Sequence, residues 1–182
     1  MTILELLLTA VSLAGDAFTV SICKGLKSSY DKLKKALIIS LFFGIFQTIM
    51  PIMGYYLGNI FTEKIIYYNP YISTILLIVV GLLIYNEDDN TEVDDKIKLW
   101  ELFFLSIATS IDALVIGISF SFLKINIILS SLIIGIVTFI ICFNGFYLGN
   151  ILNNKVSKYT NKIAGIILIF LGIKIFLQNL FK

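Results

Sequence analysis

The chain has 182 residues, of which 58% are hydrophobic and only 14% are charged, and its mean hydropathy is +0.96. Soluble domains are about 45–50% apolar and roughly a quarter charged, so this composition excludes a soluble globular protein. The net charge of +2 is not concentrated in any basic surface and gives no reason to expect a nucleic-acid partner. We therefore expect an integral membrane protein surrounded by a lipid bilayer.

Apolar segments long enough to cross a bilayer, which takes roughly 17–25 residues, follow one another along the chain. Six segments qualify: Ile3–Cys23, Ala36–Leu57, Tyr71–Tyr85, Trp100–Leu123, Ile125–Leu148 and Ile163–Leu180. The first has no basic residue before it and no small-residue cleavage site after it, so we expect a retained helix rather than a signal peptide. Short polar loops separate the segments. The sequence thus predicts an all-α integral membrane protein with six transmembrane helices in one domain, residues 1–182.

Lysine residues are concentrated in the loops after the first, third and fifth predicted helices. These loops hold Lys24, Lys27, Lys32, Lys34, Lys35, Lys96, Lys98, Lys155, Lys158 and Lys162. The opposite side has only Lys64, Lys124 and Lys182. Because cytoplasmic loops are enriched in Lys and Arg, we predict that the three lysine-rich loops are cytoplasmic. Both termini are then extracytoplasmic in this multi-pass protein.

The two halves of the sequence resemble each other. The run GYYLGN at 54–59 returns as GFYLGN at 145–150, and Gly44 and Gly135 precede the two runs at the same distance. The glycines within each run have the GxxxG spacing that lets helices approach closely in lipid, so we expect them to serve packing. A repeat of three helices must enter the membrane the other way round in its second copy, as in many secondary transporters.

The repeat divides the single domain into three parts. Repeat one covers about 1–86, an acidic cytoplasmic loop covers about 87–98, and repeat two covers about 99–182. Inverted repeats of this kind place their substrate near the bilayer midplane, at the interface between the repeats. We therefore expect a substrate site where the two repeats meet.

Only two of the twelve acidic residues lie deep within predicted helices, and they occupy equivalent positions in the two repeats. Asp16 lies in SLAGDAFTVSICKG and Asp112 lies in ATSIDALVIGISFS. A charged residue at the bilayer centre costs about 2.5–3.5 kcal/mol on insertion scales, so a symmetric pair indicates a functional site. The alternative is a pair of protonated aspartates that hydrogen-bond neighbouring helices and have only a structural role.

Neutral side chains with oxygen atoms are expected to complete this site. The fifth predicted helix contains Thr138 and Asn144, and we include Asn144 in the predicted metal-binding set. The predicted metal-binding set is Asp16, Asp112, Gln47, Ser12, Thr109 and Asn144. Oxygen ligands suit hard or borderline divalent cations, whereas zinc and copper favour imidazole and thiolate. The chain has no histidine, and Cys23 and Cys142 form no CxxC motif, so manganese, magnesium and calcium all remain compatible.

The segments GDAFTVSICKG at 15–25 and ATSIDALVIGISF at 108–120 resemble the paired signature of the MntP family of bacterial manganese efflux pumps. The resemblance extends over essentially the whole chain, including MPIMGYYLG at 50–58. It implies a six-helix exporter of Mn²⁺ in the bacterial inner membrane, related to the lysine-exporter superfamily. It also implies that Asp16 and Asp112 are the intramembrane aspartates of the family. Gln47 stands where many relatives carry a glutamate.

We predict secondary-active export of manganese(II), with the metal as the transported ion and no cofactor. Exchange for protons is the expected driving force, because outward movement opposes an inside-negative potential and the chain has no nucleotide-binding motif. Two alternatives stay open: an exporter of another divalent cation or a small amino acid, and an intramembrane aspartyl protease. The protease is disfavoured because Asp112 stands in TSID rather than in the GxGD of those enzymes, so we expect no enzymatic activity.

Overall fold

The computed structural model describes most of the chain. The described residues are 2–26, 28, 31–85, 98–123, 125–156, 162, 165–167, 169–170, 173–174 and 177. Side chains are not described at 59–70, 72–73, 76, 80, 83–84 and 153–156. Within the described residues the secondary structure is helical, with no β-strand. This confirms the all-α class predicted from the sequence.

Four helices make up the described fold. They are α1 (Ile3–Leu26), α2 (Lys32–Tyr85), α3 (Leu99–Phe122) and α4 (Ile127–Val156). Four spans in them are long and apolar enough to cross a membrane: Ile3–Leu26, Lys32–Gly58, Leu99–Phe122 and Ile127–Leu152. These spans correspond to the first, second, fourth and fifth predicted helices. The sixth predicted helix lies largely outside the described residues, so the six-helix count remains a prediction.

The third predicted helix is a part of α2 and not a separate element. A straight helix of the 54 residues in α2 would be about 81 Å long, far more than the roughly 30 Å of a bilayer core. Leu77 nevertheless packs in the same apolar cluster as Phe43, although straight helix would separate the two by about 51 Å. The helical run therefore turns back on itself between them. The predicted loop, residues 58–70, is helical backbone instead, although Gly58 and Pro70 lie at its two ends.

Side chains cap the N-termini of α1 and α4. At α1, the Glu5 amide donates to Thr2 Oγ1 over 3.2 Å and the Thr2 amide donates to Glu5 Oε2 over 2.9 Å, which is a capping box. At α4, the Leu129 amide donates to Asn126 Oδ1 over 3.2 Å. These bonds satisfy backbone groups that have no partner within the helix.

Two apolar clusters fill the interior of the bundle. The first core cluster contains Ala17, Val20, Cys23, Ala36, Ile39, Phe43, Leu77, Leu102, Leu105, Ala108, Cys142 and Phe146. The second core cluster contains Leu6, Ala10, Leu13, Met50, Ala113, Phe120, Ile127 and Ile134. Every membrane-capable span contributes residues from one of its halves to the first core cluster and residues from its other half to the second. The clusters therefore lie toward opposite faces of the bilayer.

Candidate functional site

Seven polar side chains lie at the level where one core cluster ends and the other begins, Thr48 and Ser110 among them. The other five are Asp16, Gln47, Thr109, Asp112 and Thr138, and we call these five the polar layer. On α2, for example, this level falls between Phe43 of the first core cluster and Met50 of the second. Apolar packing thus encloses these polar groups on both sides along the bundle.

Gln47 joins three helices at this level. Its side chain is fully buried, and its Nε2 donates to Leu13 O over 3.3 Å and to Thr109 O over 3.1 Å. Both neighbours are carbonyl oxygens, which only accept hydrogen bonds, so the amide group must present its nitrogen to them. Gln47 Oε1 has no hydrogen-bond partner among the described residues. The bundle therefore holds a buried acceptor oxygen that is available to a ligand.

Each of the two aspartates lies about one helical turn after a backbone carbonyl that Gln47 binds. Asp16 lies three residues after Leu13, and Asp112 lies three residues after Thr109. Since both carbonyl oxygens bind one nitrogen, they can be no farther apart than the two hydrogen bonds laid end to end. Both aspartates are half-buried, and they lie close enough for their charges to interact. The pair predicted from the sequence is therefore brought together in space.

Two further groups surround the carboxylates. The Ala113 amide donates to Asp112 Oδ1 over 2.8 Å, which fixes that carboxylate against its own helix. Lys174, an exposed residue of the last segment, lies close enough to Asp16 for their charges to interact. The acidic pair therefore has a cationic side chain on one side.

The remaining predicted ligands separate into two groups. Thr109 belongs to the polar layer, but its hydroxyl donates to Leu105 O over 3.0 Å, and its carbonyl oxygen accepts a hydrogen bond from Gln47. Ser12 and Asn144 are exposed on the surface of the described part of the chain. The Asn144 amide donates to Ile140 O of its own helix over 2.8 Å. The structure thus unites Asp16, Asp112, Gln47 and Thr109 and leaves the other two outside.

Thr138 is the member of the polar layer that our predicted set omitted. It is fully buried, and its hydroxyl has no hydrogen-bond partner among the described residues. The repeat carried a signal for it, because Thr138 follows Gly135 by three residues just as Gln47 follows Gly44. Asn144 has the stronger metal-binding group, but it lies on the exposed face of α4.

The polar layer has the chemistry of a site for a divalent cation. Two carboxylates supply two negative charges, and the free oxygen of Gln47 adds a neutral ligand. Such oxygen ligands suit manganese, magnesium and calcium. The thiols of Cys23 and Cys142 belong to the first core cluster and not to this layer. The described residues contain no group of three or more His, Cys, Asp or Glu side chains that could hold a metal, so the two aspartates would act with neutral oxygens.

Comparisons with known proteins agree with this chemistry. The sequence profile of a family described as "Putative manganese efflux pump" matches residues 31–176. Among curated proteins named "Putative manganese efflux pump MntP", that of Acetivibrio thermocellus is 40% identical over 99% of this chain and 93% of its own length. The one from Desulfitobacterium hafniense is 41% identical over 97% and 95%, and that of Ruminiclostridium cellulolyticum is 38% identical over 100% and 98%. No solved structure matches the chain.

Proposed function

The chain belongs to the MntP family of manganese efflux pumps, and from this premise we propose that it exports Mn²⁺ across the cell membrane by secondary-active transport. The chain is a membrane transporter and not an enzyme. Asp16 and Asp112 bind the transported ion in the polar layer, and Gln47 Oε1 adds a neutral ligand. The observation that carries this proposal is that Gln47 binds the carbonyl oxygens of Leu13 and Thr109, one turn before Asp16 and Asp112, while its own Oε1 has no partner among the described residues.

Pairs of equivalent contacts support the proposal that the domain consists of two inverted repeats, about 1–86 and about 99–182. Positions correspond at an offset of 91 residues between α2 and α4 and of 96 residues between α1 and α3. Gly54 packs against the backbone of Leu114, and its counterpart Gly145 packs against Phe18, the counterpart of Leu114.

The same correspondence holds farther along the helices. Gly58 contacts Ile118, and its counterpart Gly149 contacts Ile22, the counterpart of Ile118. The six-helix arrangement of the proposal follows from three helices in each repeat. The ion site then lies where the two repeats face each other.

The two core clusters support alternating access to this site. A cation in the polar layer has apolar packing on both sides along the bundle, so neither membrane face communicates with it directly. Transport then requires each cluster to open in turn while the other stays closed. Helices two and five of the proposed repeats, in α2 and α4, run through both clusters and would carry this movement.

Proton exchange provides the driving force in this proposal. Moving a divalent cation outward against an inside-negative potential costs ~4.6 kcal/mol per 100 mV, at 2.3 kcal/mol for each charge. When Mn²⁺ leaves, two ionised carboxylates would remain close together in a medium of low dielectric, which is a costly state. Two protons on the return step avoid that state, and the two carboxylates together with their load carry no net charge in either direction. The pair titrates as one coupled unit.

The proposed orientation places the lysine-rich loops in the cytoplasm. Of these, the loop between α1 and α2 contains Lys27, and Lys32 begins α2 directly after it. Cytoplasmic loops are enriched in such residues. The first core cluster, which adjoins this loop, is then on the cytoplasmic side. Both termini are extracytoplasmic. A single cysteine at Asp94, in a chain that lacks Cys23 and Cys142, should react with a membrane-impermeant reagent only after permeabilisation.

Transport of Mn²⁺ into proteoliposomes tests the proposed function. Asp16→Asn and Asp112→Asn keep the size and hydrogen-bonding capacity of the side chains but remove the charge, so each should abolish most of the flux while the protein stays folded. Glu5→Gln is a matched control, because Glu5 is exposed and caps α1. Flux that survives in both aspartate variants would support the purely structural role. A flux that ignores an imposed pH gradient at clamped voltage would exclude proton exchange.

Competition with other substrates separates the remaining alternatives. Lys174 lies near Asp16 and could bind the carboxylate of an amino acid, so an amino-acid substrate deserves a direct test. Mg²⁺, Ca²⁺, Zn²⁺ and lysine should be compared as competitors of Mn²⁺ uptake. Manganese export predicts that Mn²⁺ is preferred among the metals and that lysine does not compete. Competition by lysine at micromolar concentration would identify the amino-acid exporter instead.

A further inference from the structure

The unpaired hydroxyl of Thr138 is unusual within this bundle. Several buried hydroxyls elsewhere in the described helices have acceptors: Ser40 donates to Ala36 O over 2.7 Å, Ser106 to Leu102 O over 2.8 Å and Ser110 to Ser106 O over 2.6 Å. Serine and threonine in helices commonly bond to their own backbone in this way. Thr138 is as deeply buried as these residues but does not make that bond within the described part. A buried polar group without a partner is energetically unfavourable, and a bound ligand would supply the interaction that this hydroxyl lacks.

The packing of α2 against α4 places Thr138 beside Gln47. The two helices cross where Gly44 and Gly135 approach each other, and a Cβ added to Gly44 would lie 3.0 Å from Gly135 O. The neighbouring contacts, Gly44 with Phe139 and Gly135 with Thr48, show that the helices run in opposite directions there.

Gln47 and Thr138 each follow one of the crossing glycines by three residues, about one helical turn. Both side chains are fully buried, and both carry an oxygen without a partner among the described residues. The contacts of Gly44 with Phe139 and of Gly135 with Thr48 place about residue 46 of α2 opposite about residue 137 of α4, so Gln47 and Thr138 each lie about one residue from the centre of the crossing, on opposite sides of it. Two unpaired oxygens at equivalent positions of the repeats therefore lie in the polar layer that also holds Asp16 and Asp112.

We infer that the hydroxyl of Thr138 is a ligand of the transported cation, opposite Gln47 Oε1, and that it contributes to the choice of metal. The inference deepens the proposed function and rests on it. The two carboxylates supply the charge that any divalent cation requires, so they distinguish poorly between metals. The number and spacing of the neutral oxygens set the size of the cage, and this property separates Mg²⁺ and Mn²⁺ from the larger Ca²⁺.

The competing explanation is that Thr138 only holds a buried water molecule, as polar groups in cavities commonly do. Ser131 provides a comparison, because its buried hydroxyl also lacks a partner among the described residues. Ser131 lies two turns away from Thr138, between Ile127 and Ile134 of the second core cluster. If unpaired hydroxyls only hold buried water, substitution of Thr138 and of Ser131 should have the same effect. If Thr138 is a ligand of the ion, only its substitution should affect ion binding, because Ser131 lies outside the polar layer.

The test measures Mn²⁺ binding and transport by the full-length protein with Thr138→Val, Thr138→Ala and Thr138→Ser. Valine preserves the shape of threonine and removes the hydroxyl. The matched controls are Ser131→Ala and Thr48→Val, since Thr48 is close to the same helix crossing and its hydroxyl donates to Gly44 O over 2.9 Å. Electron paramagnetic resonance of free Mn²⁺ reports binding to purified protein, and proteoliposome uptake reports the half-saturating concentration.

The expected result is that Thr138→Val raises the dissociation constant and the half-saturating concentration for Mn²⁺ by about tenfold, as for one lost bond to a charged group. Thr138→Ser should restore both, the controls should match the wild type, and the preference for Mn²⁺ over Ca²⁺ should fall in Thr138→Val. If valine prevents folding, the comparison of alanine with serine gives the same answer.

Two results would overturn the inference in distinguishable ways. Unchanged Mn²⁺ binding in Thr138→Val or Thr138→Ala, with binding lost in Asp112→Asn, would reject Thr138 as a ligand and leave the proposed function intact. Equal losses in Thr138→Val and Ser131→Ala would assign the hydroxyls to buried water. Absence of Mn²⁺ binding by the wild type would reject both the inference and the proposed function.

Discussion

The two core clusters occupy corresponding positions in the proposed repeats, yet different interactions hold them together. Around the first core cluster, polar side chains link separate helices. Ser21 Oγ donates to Cys142 O over 2.6 Å, and Lys24 Nζ forms an ion pair with Glu101. These interactions join α1 to α4 and α1 to α3. The first core cluster is therefore closed by directional bonds as well as by apolar contact.

The second core cluster lacks these links at the corresponding positions. The counterparts of Ser21, Cys142, Lys24 and Glu101 are, in the same order, Gly117, Pro51, Phe120 and Glu5. Gly117 packs directly against Pro51, and Glu5 caps α1 with Thr2 instead of pairing with a lysine. Close backbone contact thus replaces the side-chain bonds. Opening the second core cluster breaks fewer directional interactions, so we expect it to open more readily than the first.

The ion pair should show the largest difference between the two sides. Lys24 and Glu101 retain only 16% and 7% of their side-chain exposure, so removing one partner leaves a buried charge. Lys24→Met should lower the free energy of unfolding by about 3–5 kcal/mol, and the double change Lys24→Met with Glu101→Met should recover most of that loss. Thermal unfolding in detergent, followed by size-exclusion chromatography, measures both.

Phe120→Met is the matched control for this prediction, because Phe120 occupies the position of Lys24 in the other cluster. A swap between apolar side chains of similar size should cost less than about 1.5 kcal/mol. Equal unfolding temperatures for Lys24→Met and the double variant would show that the loss in Lys24→Met does not come from the unpaired charge of Glu101.

Glycine substitutions should give the next largest effect. A Cβ on Gly117 would lie 2.6 Å from Pro51 Cα, and one on Gly25 would lie 2.9 Å from the carbonyl carbon of Phe146. Either alanine must push two helices apart, and overpacking of this kind costs about 1–3 kcal/mol. We expect Gly117→Ala to be the more harmful, since the described residues of its cluster have no counterpart of the Ser21 and Lys24 bonds to hold the helices together while the backbones separate. Thermal unfolding compares the two variants directly.

Gly15 provides the control for the glycine series. A Cβ at this position would meet nothing within 4 Å, so no neighbouring group has to move. Because alanine favours a helix over glycine by up to about 1 kcal/mol, Gly15→Ala should be neutral or slightly stabilising. A larger loss in Gly25→Ala than in Gly117→Ala would reverse our assignment of the more easily opened side.

Hydropathy was sufficient to locate the four membrane-capable spans of the described residues from the sequence. It did not locate the helix ends. The fifth predicted helix ends at Leu148, whereas α4 continues to Val156. A window of apolar residues detects the bilayer core, and a helix extends beyond that core wherever its backbone bonds remain satisfied. The helical backbone through 58–70 was not predicted for the same reason, since the polar residues there suggested a loop.

The aspartates of the site were predictable because a charge within an apolar segment is conspicuous in sequence. The neutral ligands were not. Helices that are apolar on all sides have no amphipathic pattern to show which face points inward, so Asn144 and Thr138 could not be distinguished. The structure separates them, because Asn144 is exposed and Thr138 is fully buried. Gln47 was predicted, but its bonds to two carbonyls from different helices depend on packing that no sequence pattern specifies.

The smallest expected effect concerns Ser21, whose fully buried hydroxyl joins α1 to α4. Ser21→Ala removes one hydrogen bond and should lower the free energy that keeps the first core cluster closed by about 1 kcal/mol. A change of that size increases the open fraction about fivefold. Cys23 is a native probe of this opening, because it is 1% exposed and lies within the cluster.

In a Cys142→Ala background, alkylation of Cys23 by N-ethylmaleimide should therefore become about fivefold faster in Ser21→Ala when opening and closing are fast compared with alkylation. Ser110→Ala is the matched control, because that buried hydroxyl donates to Ser106 O of its own helix and links no second helix. Mn²⁺ should slow alkylation in both variants if the ion stabilises the closed cluster. Equal alkylation rates in Ser21→Ala and Ser110→Ala would mean that the bond to Cys142 O does not restrain this side, and that apolar packing alone keeps the first core cluster closed.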